Sequence, residues 1–135
     1  MFVHENLSAI RQDILAMRSN DTRPIALVPT MGALHEGHVS LVRSAIEDGC
    51  QCVATIFVNP TQFAAHEDID RYPARLETDL AVLKDLGIQG VWTPSVQIMY
   101  PGDDLTRVHV RGSLASMWEG AHRPHFFTGV ATVVT

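Results

Sequence analysis

The stretch IALVPTMGALHEGHVSLVRSAIEDGCQCVATIFV, residues 25–58, decides the fold. Ile25, Ala26, Leu27 and Val28 form a short continuous apolar run, the pattern of a strand buried on both faces, and Pro29 forbids its continuation in the middle of a sheet. Val39, Val42, Ala45 and Ile46 then keep helical spacing up to Gly49, which suits a C-terminal cap. A second apolar run, Cys52 to Val58, follows at once. Strand, helix and strand with short joints make a βαβ unit, which implies a parallel sheet.

The same rhythm extends both ways. Upstream, Leu7, Ile10, Ile14 and Met17 behind Asn6 or Ser8 predict an amphipathic helix ended by the break from Asn20 to Pro24. Downstream, Pro73 suits the first turn of a helix whose apolar face is Leu76, Leu80 and Leu83; Gly87 ends it, and Val91 and Trp92 lie on a third strand. Pro101 to Asp104 reads as a turn. Thr106, Val108 and Val110 alternate with Arg107, His109 and Arg111, which predicts a strand with one wet face. Ser113 is placed to cap a short helix carrying Leu114, Met117 and Trp118 to Gly120. The run from Val130 to Thr135 is apolar and carries no cap or turn signal, so the chain is expected to end inside an element.

Composition excludes several function classes. Ten Lys and Arg against 15 Asp and Glu give a net charge of −5, and Lys84 is the lone lysine. A nonspecific nucleic-acid binder needs clustered cations, and the arginines are scattered singly, so no nucleic-acid partner is expected. Cys50 and Cys52, one residue apart on a strand, are poorly placed to bridge and read as reduced thiols of a cytoplasmic protein. No run approaches the about 18 apolar residues of a membrane span, and the N-terminus has no signal-peptide pattern.

Ligands of open α/β sheets bind beyond the carboxyl ends of the strands. Two loops fall there. In the first, Pro29 to His38, the imidazoles of His35 and His38 are three residues apart at a helix start, beside backbone amides that lack helical partners and welcome an anion. Gly37 removes a side chain where a flat ligand could press on backbone. The second loop, Asn59 to Phe63, offers two amides, Asn59 and Gln62, able to orient hydroxyl and carboxylate groups without adding charge. Blander readings compete: a histidine at a helix start as a cap, Asn59 and Pro60 as a turn, Tyr72, Pro73 and Arg75 as a helix start. Zinc held by His35, His38, His122 and His125 is disfavoured, because the paired-histidine zinc helix spaces its ligands by four and this pair by three.

His35-Glu36-Gly37-His38 resembles the histidine, any residue, glycine, histidine signature of the nucleotidyltransferase superfamily. With LVPTMGALHEGHVSLV at 27–42, IFVNPTQF at 56–63, RYPARLETDL at 71–80 and MWEGAHRPHFFTGVATVV at 117–134, the chain is similar throughout to the pantothenate synthetase family. The resemblance implies a Rossmann-like parallel sheet with flanking helices, the first part of a doubly wound domain. It implies ATP-dependent joining of pantoate to β-alanine through a pantoyl-adenylate, with release of AMP and pyrophosphate. By carry-over, Met31, Gly32, Ala33, Leu34, His35, Glu36, Gly37 and His38 line the ATP site, with His35 and His38 on the phosphates and His38 as proton donor. Gln62 binds pantoate and lies by β-alanine, and Pro29, Thr30, Met31 and Asn59 shape the same pocket. Mg²⁺ is expected to arrive with ATP, held by phosphate and water rather than by a dedicated protein metal site.

One departure stands out. The family's glycine, any residue, lysine, aspartate segment and its serine, serine, arginine segment are missing, and Lys84-Asp85 is a decoy inside a predicted helix. The expectation is therefore an N-terminal nucleotide- and pantoate-binding domain over 1–135, without the C-terminal domain and inactive alone, taken from an enzyme that is a homodimer at full length. The alternatives are another small-molecule adenylyltransferase or a noncatalytic nucleotide- or pantoate-binding module.

Overall fold

The computed structural model describes residues 1–63, 75–102 and 106–135, the side chain of Leu114 excepted. Four parallel strands, β1 (Phe2–His4), β2 (Ile25–Thr30), β3 (Gln51–Ile56) and β4 (Gly90–Trp92), form one sheet in the order β1-β4-β3-β2. Helix α1 (Leu7–Asn20) follows β1, α2 (Glu36–Glu47) links β2 to β3, and α3 (Leu76–Asp85) lies between β3 and β4. The α/β parallel architecture with flanking helices is as read from the sequence.

Local chemistry sets the boundaries. The Asn6 carboxamide accepts the Ser8 and Ala9 amides at 2.8 and 3.2 Å and starts α1. Gly49 and Gly87, both at φ +77°, follow α2 and α3 in the left-handed conformation that glycine adopts without steric cost. Val28, Val42, Cys52, Ala54, Leu83, Ile88 and Val91 then close into one core between the sheet and helices α2 and α3. Pro73 and the Asp103–Asp104 part of the predicted turn lie outside the described residues.

Several expectations are corrected. Strand β2 does not stop before Pro29 but runs to Thr30, and it is not buried on both faces: Leu27 is 56% exposed. The reason is position. At the edge of the sheet a strand needs hydrogen bonds on one side only, so a proline fits. Strand β1 went unread; it pairs Phe2, Val3 and His4 with Gly90, Val91 and Trp92, and a Cβ on Gly90 would collide with the Phe2 ring. Residues 106–110 form no strand. They are exposed, and the Val108 amide donates to Thr132 Oγ1 at 3.0 Å instead of to a sheet. The helix predicted from Ser113 is split into a 3₁₀ turn (Ser113–Ser116) and a single turn α5 (Glu119–His122), broken where Trp118 takes φ +47°. A short α4 (Val96–Met99) precedes these, and the closing apolar run is the helix α6 (Phe126–Val134).

Candidate active site

Thr30, the last residue of β2, hands the chain to the first loop. Its hydroxyl donates to the Thr55 carbonyl at 2.7 Å and accepts the Gly32 amide at 3.1 Å. Gly32 and Ala33 then take φ +82° and +51°, and the Asp79 carboxylate, 3% exposed on α3, accepts the Ala33 and Leu34 amides at 2.8 and 2.9 Å. A Cβ on Gly32 would lie 3.0 Å from Asp79 Oδ2 and 3.2 Å from Ile56 Cγ2, so glycine suits the turn on both steric and conformational grounds.

Helix α2 starts at the histidines. His35 Nδ1 accepts the Gly37 amide at 3.0 Å, and His38 Nδ1 accepts the His35 amide in a longer contact of 3.4 Å. With Nδ1 accepting in both rings, each neutral imidazole carries its proton on Nε2. The ring centroids are 4.1 Å apart. Gly37 makes this possible in a way its sequence reading did not anticipate: a Cβ there would stand 2.8 Å from His35 Cε1. Burial, and next the charge of His35, hold the His38 imidazole below its ordinary range, with Asp79 opposing them, so His38 is neutral near pH 7.

The expected row of unpartnered amides is corrected here. Those of Gly32, Ala33, Leu34, His35, Gly37 and His38 all donate within the chain, and the two imidazoles add their Nε2–H groups as side-chain donors. Nor do all residues of the loop face one space. A cavity of about 510 Å³ takes Pro29, Thr30, Met31 and His38 into its wall. By contrast, Gly32 is buried against Asp79, Leu34 packs on the core, His35 is exposed beside His38, and Glu36 is exposed 3.4 Å from Arg43.

The second loop closes the same cavity with Asn59 and Gln62. Asn59 is 1% exposed and fully used: Nδ2 donates to Gln62 Oε1 at 2.7 Å and the Gly129 carbonyl at 3.2 Å. Its Oδ1 accepts from the Thr61 amide at 3.2 Å and from the Thr61 and Tyr100 hydroxyls, both at 2.8 Å. Asn59 therefore orients Gln62 from within the cavity wall, and because Gln62 Oε1 is taken, its Nε2 is the atom left to donate into the cavity. Arg123 braces this loop from outside, donating to the Gln62 carbonyl at 2.7 Å with its guanidinium 4.6 Å from the Phe126 ring centroid.

Sequence reasoning missed Asp79, Tyr100, Arg123 and the wall formed by Val130, Val133 and Val134 of α6. The valines repeat at helical spacing, a usable signal; the others depend on contacts between distant parts of the chain. Among the described residues no three His, Cys, Asp or Glu side chains converge as a metal site, and no helix is long and apolar enough to cross a membrane.

Comparison with known proteins adds an independent line. Residues 2–135 match the family described as pantoate-beta-alanine ligase. The chain is 48% identical over 135 residues to the pantothenate synthetase of Rhizorhabdus wittichii, covering all of this chain and 47% of that protein. It is 54% identical over 120 residues to that of Rhodopirellula baltica, covering 87% and 42%. Its fold is similar to the crystal structure of pantothenate synthetase from Thermus thermophilus, with TM-score 0.87, 42% identity and coverage of 99% of this chain and 46% of that one. The Francisella tularensis pantoate-beta-alanine ligase, solved with beta-gamma ATP and beta-alanine, gives TM-score 0.85 and 37% identity, with coverage of 99% and 51%. The chain spans about half the length of the curated relatives it matches.

Proposed function

Because the chain belongs to the pantoate-beta-alanine ligase family, we propose that it supplies the nucleotide loop and the pantoate pocket of an enzyme that makes pantothenate from pantoate, β-alanine and ATP. In this reading a pantoate carboxylate oxygen attacks the α-phosphorus and pyrophosphate leaves. The β-alanine amine then attacks the acyl carbon, and the bond to AMP breaks. Neither step needs a protein nucleophile; both need alignment, donors for phosphate oxygens, and shelter of the acyl-adenylate from water.

One observation carries the reading: the neutral His38 imidazole and the Gln62 amide share one cavity at the carboxyl ends of β2 and β3. Gln62 Nε2 suits a hydroxyl or carboxylate of pantoate, and Val130, Val133 and Val134 give an apolar wall for its two methyl groups. The Nε2–H groups of His35 and His38 suit phosphate oxygens, and Mg²⁺ enters as part of the ATP complex, carried by phosphate and water. The free thiols of Cys50 and Cys52 accord with the reducing cytoplasm. Homodimerisation of the full-length enzyme belongs to the same proposal.

Titration of the chain with pantoate, followed by NMR or calorimetry, tests it. Binding is expected and Gln62→Ala should weaken it about tenfold or more, the loss of a buried polar contact to a charged group. Equal affinity in the variant, with its fold intact, would remove pantoate from this cavity.

A further inference from the structure

Two consecutive left-handed residues, Gly32 and Ala33, are separated from the histidine pair by Leu34 alone, and Ala33 with φ +51° has a Cβ that disfavours that conformation. Something must hold it there. The Ala33 and Leu34 amides both end on Asp79, a carboxylate 45 and more residues away and 3% exposed. Among the described residues no Lys, Arg or His forms an ion pair with Asp79, and its Oδ2 and Oδ1 each accept one of these two amides. Burying a carboxylate is costly, and an apolar residue on α3 would fill the same space more cheaply while leaving both amides unbonded.

We infer that Asp79 is the positioning residue of the nucleotide loop: by accepting the Ala33 and Leu34 amides its carboxylate locks the left-handed turn at Gly32 and Ala33, after which His35 and His38 present their Nε2–H groups, and so sets the affinity for triphosphate. The inference rests on the nucleotide reading above. It also explains why the Ala33 and Leu34 amides are withdrawn from ligand binding: Asp79 occupies the place an anion would take there, which shifts phosphate binding toward the imidazoles.

The test is amide exchange and ATP titration of the chain by ¹H–¹⁵N NMR, comparing wild type with Asp79→Asn. The expected result is exchange about tenfold or more faster at Ala33 and Leu34, with β3 amides such as Val53 still protected, and an ATP dissociation constant raised about tenfold or more by loss of a charge-assisted hydrogen bond. Adding Ala33→Gly, which makes the left-handed turn easier without Asp79, should recover part of that affinity. Protection lost equally in the loop and β3 would reduce Asp79 to a fold-stabilising group and overturn the inference. So would an unchanged ATP affinity, or a double variant no better than Asp79→Asn. Failure of the wild type to bind ATP would sink the nucleotide reading and the affinity claim with it, whereas the exchange comparison would still decide whether Asp79 locks the turn.

Discussion

Gly37 and His38 show how single residues set the chemistry of this site. The hydrogen in place of a methyl at Gly37 is what allows the His35 ring to fold back onto the helix start, and the Gly37 amide in turn fixes which nitrogen of that ring carries the proton. His38 is the residue whose charge state matters most. Burial and the neighbouring His35 lower its pKa, so protonation costs more in the folded chain than in the unfolded one. Its contribution to stability is therefore complete above the unfolded value of about 6.5 and declines as pH falls through 6.5 toward the lower folded midpoint. An NMR titration of the His38 ring should give a midpoint below 6.5, and saturating ATP should raise it, because triphosphate attracts the proton. A midpoint above 6.5 in the free chain would contradict the neutral-donor role.

At the scale of elements, the decisive contact is that of α6 with the Asn59–Gln62 loop. Gly129 is the point of approach: a Cβ there would lie 2.5 Å from the Thr61 carbonyl oxygen and 3.0 Å from Gln62 Cγ. Gly129→Ala should push α6 off the loop, costing about 1–3 kcal/mol in urea unfolding and weakening pantoate binding in step. A variant of unchanged stability and affinity would show that the helix tolerates the shift. The elements also show what could be read in advance. Strands β2 and β3 and helix α2 were legible because long apolar runs are punctuated by proline and glycine, and this alone brought His38 and Gln62 to one end of the sheet. Strand β1 is three residues without a periodic signature, and the alternation of residues 106–110 misled because alternation cannot supply a neighbouring strand. The inward duty of Asn59 was hidden because its partners Tyr100 and Gly129 come from 41 and 70 residues away.

For the molecule as a whole, the notable asymmetry lies between the two faces of the sheet. One is closed by α2 and α3; the other opens into the cavity, where Ile10, Ile14, Leu27 and the α6 valines share the wall with His38, Asn59 and Gln62. The lone lysine, Lys84, is exposed on α3 and outside the cavity wall, and among the described residues Arg18 is the arginine that lines it. Pyrophosphate departure from ATP generates charge that a close cation would offset. The 135-residue chain should accordingly bind ligands yet form no AMP when given ATP, pantoate and β-alanine. Sustained, β-alanine-dependent AMP release in a coupled assay would show that the histidines and Mg²⁺ suffice.

The saturated carboxamide of Asn59 bears on any attempt to reshape the cavity. Its bonds tie its own loop, through Thr61 and Gln62, to Gly129 on α6 and to Tyr100, so altering it would loosen several contacts at once rather than reshape one. Val133 and Met99 also line the cavity and make no hydrogen bond to Asn59, so side-chain volume there can be traded while the bond that aims Gln62 is kept.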